Sequence, residues 1–184
     1  MQAPSGHMTA PALQALLTDG TLAGEWTLDP HRSSVRLWNR SMRGLLRVHG
    51  VFREVSGTGT VGLNGEVRGT ITVAAASVDT QNARRDTHLR SADFFDSGNH
   101  PNITFTADGI RASGREVAVT GALTVRDQTR PVCFEAEASV PGDGEIWLDA
   151  EVRVHRAEFG LTWNPLGLTS MDNTVVIHAV FTRR

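Results

Sequence analysis

The segment of residues 82–96 has the highest density of side chains that could do chemistry. Its charged cluster comprises Arg84, Arg85, Asp86, His88, Arg90 and Asp93, and Asp96 ends the segment. A histidine beside carboxylates can act as a general acid or base, and an arginine can donate to a phosphate or carbonyl oxygen. The same composition is typical of ion pairs that fix a short helix and its loop in place, and we favour that structural interpretation.

The other histidines and the single cysteine form no recognisable catalytic or metal-binding motif. The seven histidines are His7, His31, His49, His88, His100, His155 and His178. They are scattered, and the chain has no HExxH spacing, nucleophile elbow, phosphate-binding loop or dinucleotide fingerprint. A single cysteine excludes an internal disulfide, and the strand-like surroundings of Cys133 predict a packed thiol rather than a nucleophile. We therefore expect no catalytic residue, metal or cofactor.

The elements that must position these residues are mostly strands. Apolar and polar residues alternate over residues 33–39, 116–126, 145–155 and 174–181. The pattern predicts an antiparallel meander of about eight strands with its apolar face turned inward. The alternation breaks at residues 82–96, which we interpret as a short helix and turn lying across one end of the sheet structure.

One predicted hairpin can be argued to its register. Two strand-like runs flank the sequence Asn64-Gly65-Glu66. A two-residue Asn-Gly turn would place Leu63 opposite Glu66, whereas a three-residue loop places Leu63 opposite Val67. Only the second choice keeps the apolar side chains of both strands on one face, so we predict the three-residue loop.

Length and charge limit the domain organisation and the partners. The chain has 184 residues, 18 basic and 20 acidic, and its net charge of −2 gives no basic surface for nucleic acid. It lacks an apolar run long enough for a transmembrane helix.

We divide the chain into an N-terminal extension, residues 1–24, and a β domain, residues 25–184. The extension is either a mobile tail or a short helix with Leu13, Leu16 and Leu17 on one packed face; because it lacks the basic residues of a signal peptide, we expect a cytoplasmic protein.

Periodicity alone does not separate a closed barrel from a sandwich, but motifs along the chain bear on this choice. Six separated motifs occur in order: Trp26–Ser33, Val48–Phe52, Ser77–Thr80 with Arg85–Asp96, His100–Phe105, Gly121–Val132 and Arg156–Asn164. Together they resemble the signature of the YceI-like proteins, over about residues 25–184. The chain departs from that signature at His49, where an arginine is more usual, and at Asp127, which replaces a common turn glycine.

The resemblance implies an all-β fold, an eight-stranded antiparallel lipocalin-like β-barrel with a short helical insertion and a long apolar cavity. It implies binding of a long-chain isoprenoid lipid, a prenyl quinone or polyprenol, as a carrier, storage or buffering protein without chemistry. It also implies a homodimer. A barrel of about eight strands either fills with its own side chains or holds one ligand. Small residues at inward positions favour a cavity: Gly69, Ala75, Gly121, Ala136 and Ala150.

The predicted ligand-binding residues are the large inward side chains of the barrel. They are Val35, Leu37, Phe52, Ile71, Ile103, Phe105, Val119, Leu123, Phe134, Leu148, Val152, Trp163 and Ile177. Arg85 and His88 are the candidates for contact with a lipid head group. Leucines in the loops between strands are predicted to form an apolar rim around the cavity opening: Leu45, Leu46, Leu166 and Leu168.

Two other classes of function stay open from the sequence. The same cavity could serve an enzyme that acts on a prenyl or fatty-acyl substrate with His88 or His155 as acid or base, and it could carry a fatty acid or amide instead. A barrel filled by its own side chains could bind a partner through its surface. A convergent polar cluster in the cavity favours the enzyme, and a packed interior without a tunnel favours the surface module.

Overall fold

The computed structural model describes residues 10–41, 45–113, 116–142, 144–164 and 167–184. The helices in this part are α1 (Ala10–Thr18) and α2 (Ala83–Arg90), with 3₁₀ turns over Ala75–Ser77 and Arg156–Phe159. The strands are β1 (Gly24–Leu28), β2 (Ser34–Ser41), β3 (Leu46–Phe52), β4 (Val55–Val61), β5 (Val67–Ala74), β6 (Val78–Asp79), β7 (Asn102–Ser113), β8 (Glu116–Val125), β9 (Gln128–Ser139), β10 (Glu145–His155) and β11 (Thr169–Arg183).

Eight of these strands close into an antiparallel ring. The order around the ring is β1-β4-β5-β7-β8-β9-β10-β11, and β11 returns to pair with β1. The first part of β11 pairs with β2, from which β3 and β6 continue the sheet. Closing the ring pairs its two outermost strands, which removes the edge problem of an open sheet. The eight-stranded antiparallel barrel implied by the resemblance is confirmed.

The alternation of side chains explains both the strands and the position of the core. In β8, Val117, Val119 and Val125 are buried, whereas Thr120 between them is exposed. Across the neighbouring strands, Val119 lies opposite Phe134 of β9 and therefore shares its face. The apolar faces of successive strands thus meet inside the barrel, as the alternation predicts.

The β4–β5 hairpin has a different register from the predicted one. Val61, rather than Leu63, lies opposite Val67, and Leu63 lies in the loop with 81% of its surface exposed. The loop turns at Gly65, whose φ of 78° is in the left-handed region that glycine adopts without strain. The predicted pairing is wrong because the connection spans residues 62–66 rather than 64–66, and the Gly62 N–H donates to the Glu66 carbonyl at 2.8 Å. Since the slip is by two residues, the apolar faces of the strands stay in phase.

A network of hydrogen bonds, rather than the predicted set of ion pairs, fixes α2 across one end of the sheet. The buried carboxylate of Asp86 accepts from the backbone N–H of Thr80 at 2.9 Å and from its hydroxyl at 2.5 Å. Arg85 donates from Nε to the same hydroxyl at 2.8 Å and from Nη2 to the Thr80 carbonyl at 3.0 Å. Arg90 donates to the carbonyl of Val78 at 2.8 Å. These contacts join the helix to β6 and the residues that follow it.

α1 packs its apolar face against the barrel. Leu13 and Leu17 are 8% and 7% exposed, while Gln14 between them faces solvent. The helix ends before Gly20, and the Leu17 carbonyl lies so near Gly65 that a Cβ there would approach it to 3.0 Å. This close contact places α1 beside the β4–β5 hairpin. Neither helix in the described part of the chain is long and apolar enough to cross a membrane.

Candidate functional site

The barrel encloses a cavity of about 910 Å³ with a mainly apolar wall. This volume lies near the upper end of the range of about 300–1,000 Å³ that is usual for ligand pockets. The structure places all thirteen of the apolar residues predicted from the sequence on the cavity wall, together with Arg85 and His88. Contact between these residues and a lipid stays a prediction. The inward alternation of the strands places the apolar residues around the same cavity.

The end of the cavity beside α1 is lined by Leu13, Leu17, Leu22, Trp26 and Phe181, and we take it as the closed end because these side chains are buried. All five side chains are buried and belong to one apolar cluster. Trp26 donates its indole N–H to the Leu22 carbonyl at 3.1 Å, which leaves the polar edge of this large side chain satisfied. Sequence analysis assigned a packed face to the N-terminal residues but not a place on the cavity wall.

The opposite end of the cavity is lined by His88, Phe94, Trp163 and Arg156, and we take it as the mouth because Trp163 reaches solvent. The His88 ring lies 4.3 Å from the Trp163 ring and 5.1 Å from the Phe94 ring, both edge to face. Its Nε2 atom lies 3.0 Å from the Asp93 carboxylate. Trp163 is 40% exposed, so an aromatic surface that contacts the cavity also reaches solvent.

The two predicted head-group residues have different surroundings. Arg85 uses Nε and Nη2 to bind Thr80, so the contacts that the structure shows for its guanidinium hold α2 in place. His88 has one ring nitrogen on Asp93 and packs on the mouth aromatics. Both residues line the cavity, but their observed contacts are structural.

A polar patch that the sequence analysis did not identify lies on the cavity wall at Asn39 and Arg156, which are 7% and 3% exposed. A register shift between Thr169 and Asn173 interrupts the β2–β11 pairing, as a β-bulge does. Both side chains donate to the Ser170 carbonyl within this irregularity, Asn39 Nδ2 at 3.0 Å and Arg156 Nε at 3.1 Å.

The Arg156 guanidinium is buried without an acidic partner among the described residues. Its Nη1 donates to the carbonyls of Leu161 at 3.0 Å and Trp163 at 2.9 Å. Burial lowers the pKa of Arg156 below its usual value, because removal from water disfavours the charged form.

A sequence signal for this patch does exist. Asn39 continues the inward phase of Val35 and Leu37 in β2, and Arg156 continues that of Val152 and Val154 after β10. A polar residue in an inward position of an apolar face is therefore the feature that could have identified both.

Several other expectations from the sequence need correction. His155 is not on the cavity wall: its ring faces outward and lies 2.8 Å from Asp172, so it cannot act on a ligand inside the barrel. Cys133 is exposed rather than packed, because Phe134 takes the inward position next to it. Ala75 is buried in a 3₁₀ turn, away from the cavity wall.

Gly121 has a different role from the predicted one. A Cβ at this position would overlap the Thr106 carbonyl oxygen and come within 2.7 Å of the Phe105 ring. The glycine therefore makes room for Phe105 and not for a ligand. Gly69, Ala136 and Ala150 do lie on the cavity wall.

The apolar rim predicted from the loop leucines is not part of the cavity wall as the structure describes it. Leu45 and Leu46 are 85% and 54% exposed, and Leu168 is half-buried, but none of the three lines the cavity. Leu166 lies outside the described residues. Within the residues that the structure covers, no three His, Cys, Asp or Glu side chains converge on a site for a metal ion.

Comparison with known proteins agrees with this geometry. A sequence profile described as the YceI-like domain matches residues 26–182. Protein YceI of Escherichia coli O157:H7 is 33% identical to this chain over a match that covers 71% of each. The crystal structure of BcnA from Burkholderia cenocepacia superposes with a TM-score of 0.76 at 19% identity, covering 83% of this chain and 98% of BcnA. A polyisoprenoid binding domain from Saccharophagus degradans, implicated in plant cell wall breakdown, gives 0.72 at 14% identity, covering 86% and 98%.

Proposed function

The chain belongs to the family of YceI-like domains, and on that premise we propose that its barrel binds one long-chain isoprenoid lipid. The observation that carries the proposal is the cavity of about 910 Å³ whose wall is mainly apolar. The polyisoprenoid binding of the Saccharophagus degradans domain, which shares the fold, supports the same class of ligand. We propose a prenyl quinone or a polyprenol as the bound lipid and a carrier, storage or buffering role.

The energetics of such binding are adequate for a specific complex. Each buried CH₂ group contributes about 0.8 kcal/mol, so a five-carbon isoprene unit contributes roughly 3–4 kcal/mol. Two or three buried units therefore suffice for a micromolar affinity, about 8 kcal/mol, after the costs of association and ordering. Because such lipids reside in membranes, transfer from a bilayer is closer to neutral, which suits reversible loading.

We propose that the protein does no chemistry on this lipid. The enzyme alternative gains support from one observation, the His88–Asp93 pair at the mouth, where Nε2 lies 3.0 Å from the carboxylate. However, the His88 ring packs edge to face against Phe94 and Trp163, and the other candidate, His155, lies on the outer face. Recovery of a chemically altered prenyl or acyl lipid after incubation with the protein would favour the enzyme.

The test of lipid binding is native mass spectrometry of the freshly purified protein, followed by organic extraction and identification of the lipid. We expect a discrete excess mass that extracts as a prenyl quinone or polyprenol. A fatty acid or amide would replace the isoprenoid as the ligand. Absence of any retained mass, together with no uptake of added geranylgeraniol, would contradict lipid binding and favour a role for the outer surface.

We also propose a cellular location and an oligomeric state. The cytoplasmic location expected from the sequence is testable by cell fractionation with marker proteins for each compartment. The homodimer is testable by light scattering coupled to size-exclusion chromatography, which should give twice the mass of one chain. A single-chain mass across the concentration range would contradict the dimer without affecting the cavity.

A further inference from the structure

Two buried polar atoms on the cavity wall have no hydrogen-bond partner among the described residues. They are Oδ1 of Asn39 and Nη2 of Arg156. A buried donor or acceptor that is left unpaired costs about 1–3 kcal/mol. Both residues line the cavity, which makes a ligand inside the barrel a candidate partner for these two atoms.

The orientation of the Asn39 amide is fixed by its other contacts. Its Nδ2 is within hydrogen-bond distance of three acceptors: the carbonyls of Ser170 and Asp172, at 3.0 and 3.2 Å, and Oδ1 of Asn173, at 2.6 Å. Exchanging the amide nitrogen and oxygen would set an acceptor against two backbone acceptors. The unpaired atom of Asn39 is therefore an acceptor, and it needs a donor.

The unpaired atom of Arg156 has the opposite requirement. Nε and Nη1 of its guanidinium already bind the carbonyls of Ser170, Leu161 and Trp163. Nη2 carries N–H groups and needs an acceptor. Because Arg156 and Asn39 both donate to the Ser170 carbonyl oxygen, the two requirements arise at neighbouring points of the wall.

We propose that Asn39 and Arg156 form the head-group site of the bound lipid, and that they select a neutral group that both accepts and donates hydrogen bonds. A terminal hydroxyl is the smallest such group, since its oxygen accepts from Arg156 while its hydrogen is donated to Asn39. This inference rests on the proposed lipid binding and chooses the polyprenol over the quinone. Quinone carbonyls, carboxylates and fully ionised phosphates only accept, so they would place a second acceptor against the Asn39 oxygen.

The site also orients the ligand. Trp163, whose carbonyl binds Arg156, belongs to the mouth, whereas Leu13 and Leu17 belong to the closed end. A head group at Arg156 thus lies on the side of the mouth, and the isoprenoid tail extends toward α1.

The test compares three C20 ligands that share one isoprenoid tail, using the full-length protein after its lipid has been removed. They are geranylgeraniol, its methyl ether and geranylgeranyl monophosphate. We expect the alcohol to bind about tenfold more tightly than the ether, because the ether cannot donate to Asn39. Equal affinities for alcohol and ether, or a monophosphate that binds more tightly than the alcohol, would overturn the head-group assignment.

A variant then locates the preference. In Asn39→Ala the ratio of the two affinities should fall below about threefold, whereas the matched variant Asn99→Ala, at an exposed asparagine away from the cavity, should keep it. If Asn39→Ala does not fold, Asn39→Ser replaces it. A preference that persists in the folded Asn39 variant would place the head group elsewhere. Failure of all three ligands to bind the wild-type protein would instead contradict the proposed lipid binding.

Discussion

Individual residues of this barrel divide between those that shape the cavity and those that hold its framework. Leu123 shapes it: the side chain lies on the cavity wall and packs against the cluster of Val125, Phe159 and Leu161. Asp86 holds the framework, because both of its short hydrogen bonds go to Thr80. Substitutions in these two kinds of residue are therefore expected to have different effects on ligand affinity and on stability.

Replacing Leu123 by Trp should block lipid uptake while the barrel stays folded. The larger ring occupies space that the ligand needs, and we expect at least a tenfold loss of geranylgeraniol affinity together with a destabilisation of about 1–3 kcal/mol from overpacking. Fluorescence titration and urea unfolding measure the two effects. The control is Ala122→Trp, which places the same ring on the outer face of the same strand. Unchanged affinity in Leu123→Trp would remove this residue from the binding site.

At the scale of elements, α1 seals one end of the barrel and the segment around α2 borders the other. α1 inserts Leu13 and Leu17 into the wall of the closed end, whereas α2 places His88 at the mouth. The asymmetry follows from composition: α1 has leucines on one face and no charged residue, whereas α2 is rich in charge and is fixed by hydrogen bonds. Entry and exit of a ligand are therefore expected at the α2 end.

Shortening Leu17 to Ala should loosen the seal at the closed end. Loss of a buried leucine costs about 2–5 kcal/mol, and we expect a value near 2 because the helix lies at the end of the barrel. Urea unfolding and the release rate of bound geranylgeraniol test this, with faster release expected. Gln14→Ala, on the exposed face of the same helix, should change stability by less than about 0.5 kcal/mol. Equal behaviour of the two variants would contradict a sealing role for α1.

At the scale of the whole molecule, a closed barrel with a large internal cavity gains stability when the cavity is filled. The interior loses packing contacts wherever no atom occupies the space, and a lipid supplies them. Because the ligand binds the folded chain and not the unfolded one, its binding free energy adds to the free energy of unfolding.

Thermal unfolding of the lipid-free protein should therefore shift upward on addition of geranylgeraniol. At a free concentration of about one hundred times Kd, the gain is about 2.7 kcal/mol. For a chain of this size, each kcal/mol raises Tm by roughly 2–4 °C, so an increase of about 5–10 °C is expected in calorimetry. Leu123→Trp, which binds more weakly, should show a clearly smaller shift under the same conditions. A wild-type Tm that is independent of ligand concentration would count against binding in the cavity.

The sequence by itself determined the strands, the inward face and the set of apolar residues on it. The bounds of β10 coincide with the alternating run that predicted it, because the period of two is a local property of the extended chain. The motifs, rather than the periodicity, indicated a barrel in place of a sandwich. The same alternation extends to Asn39 and Arg156, which were not predicted as site residues, and it could not show their partners.

Only the tertiary structure decided the features that depend on distant parts of the chain. The register of the β4–β5 hairpin is set by its turn at Gly65, which also lies against α1. Gly121 is required by a ring from another strand. Asn39 and Ser170 are 131 residues apart in sequence and come together through the β2–β11 pairing and its irregularity. A local pattern specifies which face a side chain occupies, whereas its neighbours on that face are fixed by how the strands close into a ring.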